Sequence, residues 1–221
     1  MIAEELINHM VPPLKLTDSA EKAIVWMEEL RCKQLPVVED NKFIGLISEE
    51  IILEENNIDK PISAFELEGL DCAVHKSQFF YDVVKIASDY KVQLVAVLDD
   101  ENEYLGVITV QDTITSFAQT AAVQAPGAIM VLSMDARDYS LSEISRLIES
   151  ENAKILGSTI SEDTLDPSKI KLTLKINKTD LTHVVATLER FNYKIIARFQ
   201  EPKVFDNSQE RIDILMRYLN V

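Results

Sequence analysis

LPVVEDNKFIGLISEEII, residues 35–52, has a counterpart later in the chain: VAVLDDENEYLGVITVQDTI, residues 95–114. Both read as an apolar strand, an acidic turn, a second strand opening at a glycine, and then a helix. The turns are Glu39-Asp40-Asn41 and Asp99-Asp100-Glu101-Asn102. Asp and Asn suit tight turns because their side chains bond nearby backbone and they tolerate left-handed geometry.

Working outward, each copy is preceded by an amphipathic helix. In the first, Ala20, Ala23, Ile24, Met27 and Leu30 recur at helical spacing, with Asp18 as the expected cap and Glu21 three positions on. In the second, Phe79, Phe80, Val83, Val84, Ile86 and Ala87 supply the apolar face after Ser77. A short extended piece precedes each helix, at residues 14–16 and 73–75. A unit of roughly sixty residues is too small to bury its own faces well, so the two copies should pack on each other.

This pattern resembles the CBS domain, which occurs in pairs called Bateman modules. The resemblance covers residues 1–121, as repeats 1–60 and 61–121. Its most specific element is the strand–helix junction G-h-h-T-x-x-D, complete in the second repeat as Gly106, Val107, Ile108, Thr109, Val110, Gln111, Asp112. The first repeat departs from it: Gly45, Leu46, Ile47, Ser48, Glu49, Glu50, Ile51.

Residues 121–127 read as a short linker with Pro126 and Gly127 as punctuation. Beyond it the order changes. The pattern predicts a strand at 129–134, a helix at 141–152 and a strand at 153–160. Asp166-Pro167 marks a turn, and Ile170, Leu172, Leu174 and Ile176 alternate as a half-buried strand. Thr179 or Asp180 caps a helix bearing Leu181, Val184, Val185 and Leu188, and a last strand follows at 193–199. That order, βαββαβ, is the ferredoxin-like unit. The fold class is thus α/β and α+β: tandem repeats packed as a pair, then a ferredoxin-like domain.

Residues 127–201 resemble an ACT domain, most clearly in LSEISRLIESENAKILG, residues 141–157. That family's ligand loop has an Asp or Asn at the end of its first strand and a glycine before the helix. Here those places hold Ala136 and Tyr139, which hinders close backbone approach to an amino-acid ligand. The departure weighs toward assembly over ligand binding. Residues 206–221 form an amphipathic helix with Asn207 and Glu210 at capping-box spacing. Its apolar stripe, Ile212, Leu215, Met216 and Leu219, suits either the protein's own sheet or a dimer contact. In architecture the whole is similar to the acetoin-utilisation regulatory proteins.

Charge and composition exclude several classes. The formal net charge is −15, which repels nucleic-acid phosphates and anionic membranes. No stretch approaches the roughly 20 apolar residues a membrane span needs, and the first ten residues lack a signal-peptide pattern. Cys32 and Cys72 follow no metal or redox spacing, which fits reduced thiols in the cytoplasm. His9, His75 and His183 lie in different units with no metal-ligand spacing. No nucleophile–base motif or glycine-rich phosphate loop is present, so the expectation is a non-catalytic protein without a resident cofactor. Trp26 reads as core or interface packing, and Arg31 and Lys33 as cations at a helix end.

The CBS resemblance implies a ligand: AMP, ATP or S-adenosylmethionine. Asp112 would hold the ribose hydroxyls and Thr109 would help with phosphate. His75, Lys76, Ala96 and Val97 would flank the adenine, with Lys76 the nearby cation. From the residues alone, Thr109 is equally a helix cap and Asp112 a favourable charge in a first helical turn. In the first cleft Ile51 replaces the ribose aspartate, and Glu49 and Glu50 oppose phosphate, so no nucleotide is expected there. Two functions remain open: a regulatory sensor, or a scaffold with self-filled clefts that docks a protein partner. In both, the chain is expected to be a homodimer.

Overall fold

The structure is a computed structural model and describes residues 1–55 and 57–200. The chain divides into two compact units, one from Met1 to Gln119 and one beginning at Thr120.

In the first repeat, helix α1 (Ala20–Leu30) precedes a hairpin of β1 (Gln34–Glu39) and β2 (Lys42–Ser48), followed by α2 (Glu49–Glu54). α1 buries Ala20, Ala23 and Met27 and stops at Arg31, whose φ of 55° is left-handed. The expected cap, Asp18, is corrected to Ser19, whose Oγ accepts from Lys22 N at 3.2 Å. Asp18 sits one residue too early. Its carboxylate instead closes the preceding turn on Lys15 N and pairs with Lys22 Nζ at 2.7 Å. Trp26 is partly buried against the core, with Lys22 Nζ 4.2 Å from its ring centre. The hairpin turns on Asp40 and Asn41, both at positive φ.

The second repeat has β3 (Ala73–His75), α3 (Phe80–Tyr90), β4 (Leu94–Leu98), β5 (Tyr104–Thr109) and α4 (Val110–Ala118). β3 runs parallel to β4, and β5 antiparallel to it. The first repeat reduces that third strand to one parallel bridge, Leu14 to Val37. α3 buries Phe80, Val83 and Ala87. Phe79 and Val84, expected on the same face, are 46% and 47% exposed. Phe79 lies just before the helix and packs on Phe80 and Tyr81 rather than entering the core.

The repeats share one core. Leu35, Val37 and Ile47 from the first and Val95, Val97 and Ile108 from the second are fully buried in a single cluster. Each such aliphatic side chain stabilises by about 1.5–3 kcal/mol. Hydrogen bonds stitch the seam: Lys33 N donates to Gln93 Oε1, Gln93 N to Gln34 Oε1, and Tyr104 N to Asn41 O. The apolar faces of the twin halves therefore close on each other.

The second unit opens with a helical turn, α5 (Ala121–Gln124), where the sequence suggests only linker. Small side chains permit it: a Cβ on Gly157 would lie 2.8 Å from that of Ala122. Then follow β6 (Ala128–Asp135), α6 (Leu141–Ser150), β7 (Ile155–Glu162), β8 (Lys169–Ile176), α7 (Thr182–Arg190) and β9 (Lys194–Phe199). The antiparallel sheet has the order β7-β8-β6-β9, the ferredoxin-like arrangement. Leu132, Leu172 and Leu174 meet Ile144, Ile148 and Leu188 of the two helices in a second core. Asp180 Oδ1 accepts from Thr182 N at 3.0 Å at the start of α7. The expected helix at 206–221 lies outside the described residues.

Candidate functional site

The junction of β5 and α4 places Thr109 as the helix cap. Its Oγ1 accepts from Asp112 N at 3.0 Å and donates its proton to Asp112 Oδ2 at 2.6 Å. Thr109 N donates to the same oxygen at 3.3 Å. A third donor comes from far away in sequence: Asn8 Nδ2, at 2.9 Å. Asp112 Oδ2 thus receives three donors, while Oδ1 receives none among the described residues.

Asp112 borders a cavity of about 640 Å³ lined by Met10, Val11, Arg31, Cys32 and Thr109 among others. Arg31 is exposed and has no ionic partner among the described residues. Burial pushes the Cys32 thiol up, so it stays protonated and un-nucleophilic. The arrangement offers the open Oδ1 of Asp112, the Arg31 guanidinium with Glu29 nearby, and apolar side chains that include Met10 and Val11. That combination can accept hydroxyls, neutralise an anion and cover a flat ring.

The sequence reading gathered six residues here, and the structure separates them. Thr109 and Asp112 stay together. Ala96 and Val97 are fully buried and pair with Val107 and Gly106, so their side chains lie in the core. His75 pairs with Leu98, whereas Thr109 pairs with Leu94 at the other end of the same strand. Four residues of strand is about 13 Å. His75 and Lys76 therefore sit at the acidic turn. His75 Nδ1 is 3.1 Å from Asp99 O, and Lys76 Nζ pairs with Asp100 at 2.8 Å. The cation beside the cleft is Arg31, which the sequence suggests only as a helix-end charge. Asn8 was also missed.

The matching cleft of the first repeat measures about 740 Å³ and is lined by Lys33, Ser48, Glu49, Glu50, Glu54 and Lys91 among others. Ser48 Oγ caps α2 through Ile51 N at 3.3 Å. Ile51 has no group to hold a diol, and three glutamates face the space. Lys33 and Lys91 offset two of those glutamates, so what this cleft lacks relative to the other is a carboxylate in Asp112's place. Among the described residues no three His, Cys, Asp or Glu side chains converge to hold a metal. No helix there is long and apolar enough to cross a membrane.

Comparison with known proteins agrees with this plan. The CBS domain model matches residues 3–57 and 72–118. CBS domains are regulatory, ligand-binding modules. The uncharacterized protein MJ1232 of Methanocaldococcus jannaschii is 35% identical over 78 residues, covering 35% of this chain and 26% of that protein. The chain thus spans about a quarter of that relative's length. A CBS domain pair/ACT domain protein from Thermotoga maritima is similar at a TM-score of 0.48 and 15% identity, over 54% of this chain and 98% of that one. CBSX2, solved in complex with AMP, is similar at 0.46 and 16% identity, over 53% of this chain and 96% of that one.

Proposed function

We propose that the chain is a non-catalytic regulatory protein whose Thr109–Asp112 cleft takes an adenosine-type ligand, AMP, ATP or S-adenosylmethionine. The observation that carries this reading is the open Oδ1 of Asp112 above a cavity bordered by the unpaired Arg31. A carboxylate accepts both hydroxyls of a ribose diol, and a lone guanidinium suits one phosphate better than three. AMP is therefore the preferred probe, with Met10 and Val11 as apolar cover for its base. The ligand would act through different affinity for two arrangements of the protein. The chain works in the cytoplasm as a homodimer. The exposed Tyr81, Val84, Ile114 and Phe117 of α3 and α4 supply apolar surface for that contact. The ferredoxin-like unit, with Ala136 and Tyr139 in its loop, serves assembly.

A thermal-denaturation series with AMP, ATP and S-adenosylmethionine tests the ligand. A compound at 100 times its Kd raises stability by about 2.7 kcal/mol. No shift with any of them would remove the sensor reading.

One observation favours a scaffold instead: Asn8 already occupies Asp112 Oδ2. In that reading the cleft is closed by the chain itself and the acidic surface docks a basic protein partner. Light scattering with and without ligand separates the two, since the scaffold's assembly is indifferent to AMP.

A further inference from the structure

We propose that Asn8 is a latch on the second cleft, and that a diol ligand and the docked N-terminal strap compete for Asp112. This inference rests on the cleft being a nucleoside site. It adds the residue that sets affinity there and the segment that responds.

The strap, residues 1–10, begins the first repeat but is fastened to the second. Ala3 N donates to Gln78 O at 2.8 Å, Glu4 N to Lys76 O at 3.0 Å, and Phe80 N to Met1 O at 3.2 Å. Asn8 N donates to Val107 O at 2.8 Å and bridges β5. Ala3 and Leu6 are buried, and Ile7 lies where a side chain on Gly106 would stand. The strap thus crosses the segment between β3 and α3 and then meets β5 at Ile7 and Asn8, where Asn8 reaches Asp112. The Asn8 side chain is held at both ends, since its Oδ1 accepts from Met10 N at 2.9 Å. The amide orientation follows from charge, because an oxygen turned to the carboxylate would be repelled.

A carboxylate oxygen has about two lone-pair sites. Oδ2 already receives three donors. A ribose diol that bridges both oxygens meets Oδ2 already crowded, so it competes with one of those donors. Two of the three belong to Thr109, which is fixed three residues away as the cap of α4. Asn8 alone comes from a separate element. Asn8, Met10 and Asp112 line both the 640 Å³ cavity and a second one of about 480 Å³.

The first cleft has the same layout without the latch. Glu68 bridges β2 at Leu46 as Asn8 bridges β5 at Val107. The residue in Asp112's place is Ile51, which offers Glu68 no polar partner.

The test uses the full chain, AMP and the variant Asn8→Ala. Removing the competitor should tighten AMP binding by about tenfold, the scale of one hydrogen bond to a charged group. Saturating AMP on the unaltered protein should speed hydrogen exchange at the Asn8 and Met10 amides. Asp112→Ala should do so without any ligand. Equal or weaker AMP binding by Asn8→Ala would overturn the latch and leave the cleft reading standing. Binding by Asn8→Ala alone would support the latch in its strongest form. Failure of both proteins to bind would sink the cleft reading, and the latch with it.

Discussion

At the cleft beside α4, Asp112 stands one turn into the helix and is met by Thr109 and Asn8. At the cleft beside α2, Ile51 stands in the same place, three residues after the cap Ser48. The two sites share an antiparallel hairpin, a glycine, a hydroxyl cap and a crossing segment. What differs is chemistry at equivalent positions: a carboxylate and its amide partner on one side, an aliphatic side chain and acids on the other. Duplication fixes the backbone, because both halves must bury the same faces against each other. It leaves the residues at the cleft mouths free to diverge, since they contribute little to the shared core. One half can then carry a carboxylate at its cleft where the other carries an aliphatic side chain.

The sharpest physical test of that likeness is at the paired glycines. Gly45 has φ +139°, and a Cβ there would lie 2.9 Å from Glu68 O and 3.0 Å from Leu67 Cβ. Gly45→Ala should destabilise by about 3 kcal/mol, since strain and a backbone clash add. At Gly106, nearly extended at φ +159°, the obstacle is the side chain of Ile7 at 2.5 Å. Ile7 is only partly buried and can shift, so Gly106→Ala should cost about 1–2 kcal/mol, with the strap loosened. Urea unfolding measures both. Equal costs would mean that the two straps are held alike.

The clefts themselves are separated by a pair of substitutions. Asp112→Ala should weaken AMP binding by about 30-fold, consistent with loss of hydrogen bonds to a charged acceptor. Ser48→Ala, at the equivalent cap of the first cleft, should leave it unchanged. Calorimetric titration at fixed salt decides. Loss of binding with Ser48→Ala but not with Asp112→Ala would exchange the roles of the two clefts.

A smaller effect lies in the strands. Tyr104 pairs with Leu98 as Phe43 pairs with Val38, each just past a bulge. The Tyr104 hydroxyl is buried and has no hydrogen-bond partner among the described residues. Burial also raises its pKa. Tyr104→Phe makes the second repeat like the first and should stabilise by about 1 kcal/mol, because an unpaired buried hydroxyl is removed. A lower denaturation midpoint would show that the hydroxyl has a partner in solution.

Much of the fold is legible in the sequence because periodicity and turn chemistry agree twice. Gly45 and Gly106, Asp40 and Asn41, and the alternation from Leu172 to Ile176 each constrain the chain locally. The candidate site is less legible for three physical reasons. β4 is buried on both faces, so Ala96 and Val97 carry no signal of which side they face. Ser19 and Asp18 are adjacent and both can cap, so composition does not choose between them. Asn8 meets Asp112 across 104 residues, and no local pattern reports a contact of that range. Arg31 was visible only as a charge at a helix end. Its counterpart Lys91 also occupies a left-handed C-cap and lines the first cleft, so aligning the helix ends of the two repeats would have found it.

The least effect is expected at Lys76, and it bears on where the cleft ends. The turn of the second repeat is longer than that of the first, and its extra acid is matched by a lysine: Lys76 Nζ lies 2.8 Å from Asp100. The hydrogen bond from Lys76, and then its charge, hold the Asp100 carboxyl below the usual carboxylate range. The bond to Asp100 likewise raises Lys76. With the folded carboxyl depressed, its contribution is present above the ordinary Asp value and fades as pH falls through the lowered one. With the amine raised, its contribution is present below the ordinary Lys value and fades as pH climbs through the raised one. Asp100 is exposed and Lys76 only half-buried, so solvent screens the pair and it should add little to stability. Lys76→Met should return Asp100 to an ordinary titration, read by carboxyl carbon shifts, with an unfolding midpoint close to the parent's. AMP affinity should not change, because Lys76 sits at the far end of β4 from Asp112. A clear weakening would extend the ligand along the strand to the acidic turn, and Arg31 would lose its place as the phosphate's partner.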